Sequence, residues 1–304
     1  MLYPLLFKPV YKDYIWGGNR ILQLFHRNEP PGKYAESWEV SDHPDGMSTI
    51  ENGFLQGKTL HELFVTEKKA LLGKDHHCKR FPLLIKIIDA QQNLSIQVHP
   101  DDSTAKILGG EAKSEAWVVL DTSEKSIIYN GLRKVYSKRF VLQKLLSKEI
   151  LPLMHSFFVK KDDVIFIPGG RLHAIGAGNV IFEVQQNSNT TYRVYDFDRN
   201  RPLHLEKASK AIHYNDVMNP FVPSVVREKT PSYTCVELIH TPFFCIEKWK
   251  IHRPTVWKKL KDKMEILFIL DGDALAGRSV LLPAQCASLP TYTCGATLFR
   301  VYLP

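Results

Sequence analysis

Cysteine is scarce in this sequence and poorly placed for structural work. The 304 residues hold five (Cys78, Cys235, Cys245, Cys286 and Cys294), an odd number without a CxxC pair. That argues against a disulfide framework or a zinc–thiolate cluster and favours reduced, mostly buried thiols. Long apolar runs are missing too. The longest, such as Phe81–Ile88, are strand-sized, far below the ~18 residues of a membrane helix. The first residues, MLYPLLFKPV, lack a basic n-region, a full apolar core and a small-residue cleavage site, so no signal peptide is expected and the cytoplasm is the expected location. Zinc-finger and RNP signatures are absent, which leaves no motif for nucleic acid. Neither short repeats nor low-complexity segments occur, and nothing in the sequence points to a membrane partner or to a particular oligomeric state.

What is present is globular in character: 44% hydrophobic and 24% charged residues, enough for a sizeable core in about two domains or one large all-β unit. The net charge of +8 suits an anionic partner, a phosphorylated metabolite included. Basic residues are scattered, and the denser stretches Arg133–Arg139 and Trp257–Lys263 read as solvated faces. Strand signals dominate. Runs rich in β-branched and aromatic residues fall at Leu83–Asp89, Leu94–Val98, Ala116–Leu120, Ser126–Tyr129, Asp163–Ile167, Val180–Val184 and Thr191–Tyr195, separated by turn punctuation such as PDD, YNG and PGG. This spacing predicts a β-sandwich or barrel. Helical periodicity appears over Val135–Glu149, with a buried stripe of Val135, Phe140, Val141, Leu145 and Leu146. Short helices are expected at Thr59–Phe64 and Thr66–Leu72, each capped by its threonine, and a last one near Lys207–Tyr214. The proline-bearing stretch 219–233 reads as a linker between a catalytic domain, 1–218, and a smaller β domain, 234–304. That second domain carries strands Thr234–Ile239, Phe243–Ile251, Glu265–Leu270, Ser279–Leu282 and Thr297–Tyr302.

The chemistry concentrates between Leu94 and Arg199. In LSIQVHPDD, Gln97 and His99 share one strand face; imidazole and amide oxygen both bind divalent metals, although a half-exposed strand end explains the pair as well. In KSEAWVVL, Lys113 and Glu115 share a face of a strand otherwise strongly apolar, which places them at the mouth of a pocket. There the carboxylate could complete a metal site and the ammonium hold an anionic group. In DDVIFIPGGRLHAIGAGNVIFEVQQNSNTTYRVYDFDR, His173 follows a PGG turn, and a hairpin-like connection would bring Glu183 and Arg193 together across one face, either in a site or as a structural ion pair. GAG reads as a plain turn because no helix follows it. Taken together, Gln97, His99, Glu115 and His173 form a mixed N/O set suited to Zn²⁺ or a similar ion with an open position.

The motifs LSIQVHPDD, KSEAW, IPGGRLHAIG and FEVQQNSNTTYRVYDFDR, with YKDYIWGGNRI and ESWEVSDHP before them, resemble the type I mannose-6-phosphate isomerases. These are zinc enzymes of the cupin (jelly-roll) superfamily. The matches run in order through roughly residues 1–215. The resemblance implies a mainly β chain of two jelly-roll domains in the short bacterial form, the second non-catalytic, with Val135–Glu149 as the remnant of a longer helical insert. It implies one Zn²⁺ per chain on Gln97, His99, Glu115 and His173. Arg193 would be the active-site arginine, Glu183 and Lys113 polar groups of the pocket, and Ser95 a neighbour of the sugar phosphate. The implied reaction interconverts mannose 6-phosphate and fructose 6-phosphate through a cis-enediol. Such a reaction needs a polarising metal, a base and a fixed cation; Glu183, Lys113 and a metal-bound water are all open as the base, and Lys113 with Ser95 can hold the phosphate. A related cupin acting on glucose 6-phosphate and a non-catalytic sugar-binding cupin are the competing expectations.

Overall fold

A computed structural model describes residues 2–304. The strands expected from alternation form where β-branched runs meet turn residues. The pattern is clearest at Leu83–Ala90, where all eight residues are buried, and at Glu115–Thr122 and Asn179–Gln186. Continuous burial along these three marks a sheet covered on both faces. They form the centre of a six-stranded antiparallel sheet that also takes in Val164–Ile167, Glu36–Val40 and Val10–Lys12. Facing it is a five-stranded sheet ordered Tyr192–Tyr195, Ile96–Val98, His173–Ile175, Ile127–Leu132, Met154–Phe158. Between them, Trp117, Val119, Ile165 and Ile181 from the first sheet pack on Ile128 and Ile175 from the second. The pair is a jelly roll with its inner face apolar at one end and polar at the other.

The opposite face of the six-stranded sheet meets an eight-stranded sheet. Val118, Phe182 and Val184 pack against Phe268, Phe299 and Val301, with the Phe182 ring 4.9 Å from Phe299 and 5.2 Å from Phe268. This third sheet and the small pair Thr255–Val256 and Thr291–Tyr292 enclose a second core around Trp249, Trp257 and Leu298. The chain is therefore mainly β, with two jelly rolls sharing a wall. The eight-stranded sheet includes Leu5–Lys8, paired to Ser279–Leu282, and Val225–Lys229, paired to Tyr233–His240. The first strand of the chain thus completes the sheet of the last, and the stretch 219–233 carries a strand of its own.

The helices differ in detail from the expectation. Thr59 caps Leu60–Thr66 in a reciprocal capping box with Glu62, but Lys68–Leu72 begins at Glu67 without a side-chain cap. Thr66 instead donates its hydroxyl back to Glu62 O. The helix expected over Val135–Glu149 is shorter, Lys138–Leu146, started by the Ser137 cap. Only Val141 and Leu145 of its proposed stripe are buried; Val135 and Leu146 stand exposed, because nine residues offer one narrow contact row to the five-stranded sheet. The last helix runs Leu205–Ala211. Among the described residues no helix is long and apolar enough to cross a membrane.

Candidate active site

Strand pairing sets the site before any side-chain contact does. In the five-stranded sheet, Gln97 is paired with His173 on one side and with Arg193 on the other, so these three side chains rise from one row on the same face. Opposite, Glu183 is paired with both Lys86 and Trp117, and Glu115 lies two residues before Trp117 on the same face. The two rows look at each other across a pocket of about 270 Å³ whose lining includes Trp16, Ser95, Gln97, Lys113, Glu183 and Arg193.

His99 lies just past its strand, where the chain turns through Pro100 into a helix capped by Asp101, whose carboxylate accepts from Thr104 N at 2.7 Å. The PGG turn locks against this corner: Gly170 N donates to His99 O at 2.8 Å. A Cβ on Gly170, which has φ of +94°, would fall 2.5 Å from the His213 ring, so glycine is required there. The turn thereby fixes His173 beside His99.

The two imidazoles and Glu115 are buried behind Gln97 and Lys113. His99 Nδ1 is 2.9 Å from Thr190 O and His173 Nδ1 is 2.8 Å from Arg171 O. A carbonyl only accepts, so both Nδ1 atoms carry the proton and both Nε2 atoms present lone pairs. Those Nε2 atoms sit 3.2 Å apart. Glu115 Oε1 is 3.3 Å from His173 Nε2, and Glu115 Oε2 is 3.5 Å from His99 Nε2. Three buried acceptor groups thus point at one another; the Lys113 ammonium meets two of them from one side, 3.3 Å from His99 Nε2 and 2.7 Å from Glu115 Oε2, and a cation between all three would relieve the rest of the repulsion. Tetrahedral bonds of about 2.0–2.1 Å would set ligand atoms roughly 3.3–3.4 Å apart; the two Nε2 atoms are close to that spacing, and Glu115 turns a different oxygen towards each of them. The Gln97 amide is the fourth group, its Nε2 3.4 Å from His173 Nε2; turning the amide over presents Oε1 there instead. The donor set fits a divalent ion of zinc type.

Charge balance explains the acid–base state. The Lys113 ammonium is 2.7 Å from Glu115 Oε2 and 3.8 Å from Glu183 Oε1, and Lys86 is 3.3 Å from Glu36 and 3.7 Å from Glu183. Three carboxylates therefore share two ammonium groups. Burial, then repulsion from Glu183, pushes Glu115 up to about 7. Burial would raise Glu183 as well, but Lys113, Lys86 and the Trp117 Nε1–H that it accepts at 2.9 Å outweigh burial and keep it below the usual carboxylate range. Burial drives His99 well below its ordinary value, helped by Lys113 and His173, and drives His173 down to about 3. Neutral imidazoles are what a metal requires.

The structure thus brings Gln97, His99, Glu115, His173, Lys113 and Glu183 together, with Arg193 and Ser95 along one wall. Arg193 Nε is 3.3 Å from Ser95 Oγ. Two expectations change. Lys113 and Glu115 are not at a pocket mouth but at its buried base. Glu183 and Arg193 do not meet across a hairpin, since residues 187–191 carry the chain from one sheet to the facing one. The nearest carboxylate to Arg193 is Asp196, at 3.9 Å. Lys86, Glu36 and Arg201, which also line the pocket, were not singled out. Lys86 carries the same signal as Lys113, a charge inside an apolar strand run.

A jelly roll holding two imidazoles, a carboxylate and an amide at the base of a pocket defines a metal-site cupin. Residues 5–131 match the catalytic domain of type I phosphomannose isomerase. The chain is 36% identical over 262 residues to a probable mannose-6-phosphate isomerase of Bacillus subtilis (83% of this chain, 81% of that one). It is 37% identical over 264 residues to the mannose-6-phosphate isomerase of Streptococcus mutans (83% and 80%). The crystal structure of a mannose 6-phosphate isomerase from Bacillus subtilis superposes with a TM-score of 0.91 at 31% identity, covering 99% of this chain and 100% of that one. The chain belongs to the type I phosphomannose isomerase family.

Proposed function

We propose that this protein interconverts mannose 6-phosphate and fructose 6-phosphate through a cis-enediol, using one Zn²⁺ per chain held by His99, Glu115, His173 and Gln97. The observation that carries this reading is the convergence of two imidazole lone pairs and a carboxylate beside the free oxygen of a second carboxylate. Glu183 Oε1 has no hydrogen-bond partner, while its Oε2 is tied to Trp117, so one oxygen is fixed and the other is available to a substrate carbon.

When bound, the metal supplies Lewis acidity towards the sugar's carbonyl and hydroxyl oxygens. Glu183 Oε1 takes the proton from C2 of the aldose and returns it to C1. Keeping one proton on one group makes the transfer suprafacial and the enediol cis. The C2 hydroxyl proton moves to O1 in the same conversion, and Lys113 Nζ is the charged donor placed between the metal-binding groups and Glu183 to stabilise those oxygens. Arg193 is fixed by Ser95 and by its Nη1 bond to Pro202 O at 2.8 Å, which holds a permanent positive charge over the enediol as its oxygens become negative.

Every group used lies between residues 95 and 193. Residues 1–218 therefore hold the catalytic part in this reading, and the eight-stranded sheet, built largely from residues 225–304 with Leu5–Lys8 and Thr49–Ile50 added, braces it without entering the chemistry. Five unpaired cysteines and a phosphorylated metabolite both favour the cytoplasm. The test is isomerisation by the purified protein before chelation, after it, and with zinc restored. Ketose formed only with metal supports substrate, reaction and cofactor together. Turnover of glucose 6-phosphate in place of mannose 6-phosphate, or none of either with zinc bound, overturns it.

A further inference from the structure

Beyond the row Arg193–Gln97–His173 the chain makes an unusual turn. Phe197 and Asp198 both have positive φ, +50° and +60°, a left-handed conformation that side chains other than glycine rarely adopt, and two together are costly. The turn folds the following residues back onto Asp196. Its buried carboxylate accepts from Arg199 Nη2 at 3.0 Å, Arg201 Nε at 2.9 Å and Arg201 Nη2 at 2.5 Å, with Arg193 Nε at 3.9 Å. Three guanidinium groups around one carboxylate leave a local excess of two positive charges. Arg201 reaches the pocket lining, and its Nη1 makes no hydrogen bond among the described residues.

This excess lies on the far side of Gln97 from His173, with Arg193 directly beside Gln97 and so still next to the reacting carbons. Arg193 is separated from His173 by two strand spacings, roughly 10 Å. At the base, by contrast, Lys86 and Lys113 are matched by carboxylates. A hexose phosphate whose C1 and C2 lie at the base carries its phosphate on C6, towards the arginine end.

We infer that Arg201 is the substrate's phosphate-binding residue and that Asp196 is its positioning residue, presenting the guanidinium edge to the dianion. This rests on the isomerase reading and assigns the phosphate to Arg201 in place of Lys113, which is committed to Glu115 and the reacting oxygens. The strained turn is then explained: Asp196 gathers arginines that would otherwise repel one another, and an incoming phosphate completes the charge balance. Burial, then the neighbouring Arg201, and to a lesser extent Arg199, weaken the proton affinity of Arg193, with Asp196 opposing them.

Arg201→Ala, Arg201→Lys and Asp196→Asn are compared with the parent zinc enzyme for KM, kcat, bound metal and competitive inhibition by inorganic phosphate. Loss of a charge-assisted bidentate contact predicts about a 10- to 100-fold rise in KM and in the phosphate Ki for Arg201→Ala, with a much smaller change in kcat and no loss of metal. Asp196→Asn shifts the same two constants by less, and Arg201→Lys recovers part of the loss; that variant also keeps the test readable if the alanine protein does not fold. Unchanged KM and Ki in Arg201→Ala overturn the assignment, as does a fall in kcat at constant KM. If the parent enzyme turns over no mannose 6-phosphate, the isomerase reading fails on its own. Calorimetric binding of inorganic phosphate to parent and Arg201→Ala protein still decides the role of Arg201.

Discussion

Glu115→Gln should make the metal-free protein more stable and the metal-loaded protein less stable. Three buried carboxylates face two ammonium groups at the pocket base, and Glu115 carries the resulting penalty, with its folded-state value pushed from 4.5 up to about 7. A group whose folded value lies above its unfolded one opposes folding when ionised. The penalty is therefore full above pH 7 and vanishes as pH falls through 7 towards 4.5. At ~1.4 kcal/mol per pH unit it reaches about 3 kcal/mol. Glutamine keeps the shape and removes the charge, leaving Lys113 to Glu183 and Lys86 to Glu36. In chelator at pH 8, Glu115→Gln should gain roughly 1–3 kcal/mol, a few degrees in melting temperature, and the gain should be gone near pH 4.5. With zinc the order reverses. Losing a ligand that weakens binding more than 100-fold removes at least about 2.7 kcal/mol of metal-linked stability at fixed free zinc. Thermal melts at pH 8 and pH 5, each with chelator and with zinc, give all four comparisons. A metal-free variant less stable than the parent at pH 8, or a gain that persists at acid pH, refutes the charge argument.

His173→Ala should lose metal and activity together, read by metal analysis beside turnover; full turnover without metal rejects the ligand assignment. Arg193→Ala should lower kcat by 100-fold or more, as for the loss of one oxyanion donor, while metal content is retained, and equal loss of metal would reject its role over the enediol. Acid should release the metal from the parent enzyme. The native imidazoles bind protons only far below 6.5, His173 near 3, so metal-free stability falls as pH drops from 6.5 towards 3, while the first proton to compete with the metal goes to Glu115, whose folded value is about 7; a metal occupancy independent of pH from 7 to 4 contradicts this. Phe182→Ala, in the shared wall, should cost about 3–5 kcal/mol although its ring lies on the face of the strand opposite Glu183, and a melting temperature within a degree of the parent would show that the two jelly rolls are not coupled there.

Much of this was legible before any coordinates. The strands between Leu83 and Tyr195 announce themselves by β-branched runs and turn residues, and the polar groups stand out because Gln97, His99, Lys113 and Glu115 interrupt apolar stretches. What stayed hidden depends on distance in sequence. Leu5–Lys8 is four residues long and becomes a strand because Ser279–Leu282 offers an edge to its first half and Thr49–Ile50 pairs with its second. Glu36–Val40 shows no alternation, since all five residues are buried and Glu39 is satisfied by Arg27 at 2.9 Å. Lys86 is a charge inside a core strand, and the Glu36 and Glu183 that balance it lie 50 and 97 residues away in sequence. Glu183 and Arg193 lie ten residues apart and suggested a hairpin, but residues 187–191 cross from one sheet to the other, and only the closed sandwich shows that.

The placing of the first strand in the last sheet also governs how the protein is made. Leu5–Lys8 leaves the ribosome well before its partner Ser279–Leu282, which is synthesised about 275 residues later. At about 5–20 residues per second the wait is roughly 15–55 s. Throughout it the back of the wall bearing Phe182 has nothing to cover it, because Phe268 and Phe299 do not yet exist. The nascent chain can assemble its metal-binding end early but cannot close its core until Phe268 and Phe299 have been made. Stalled or truncated products should therefore be the aggregating species, and a circular permutant that begins after the PSVVREK strand, with the old termini joined, would shorten the delay by placing Ser279–Leu282 ahead of Leu5–Lys8 by a few tens of residues.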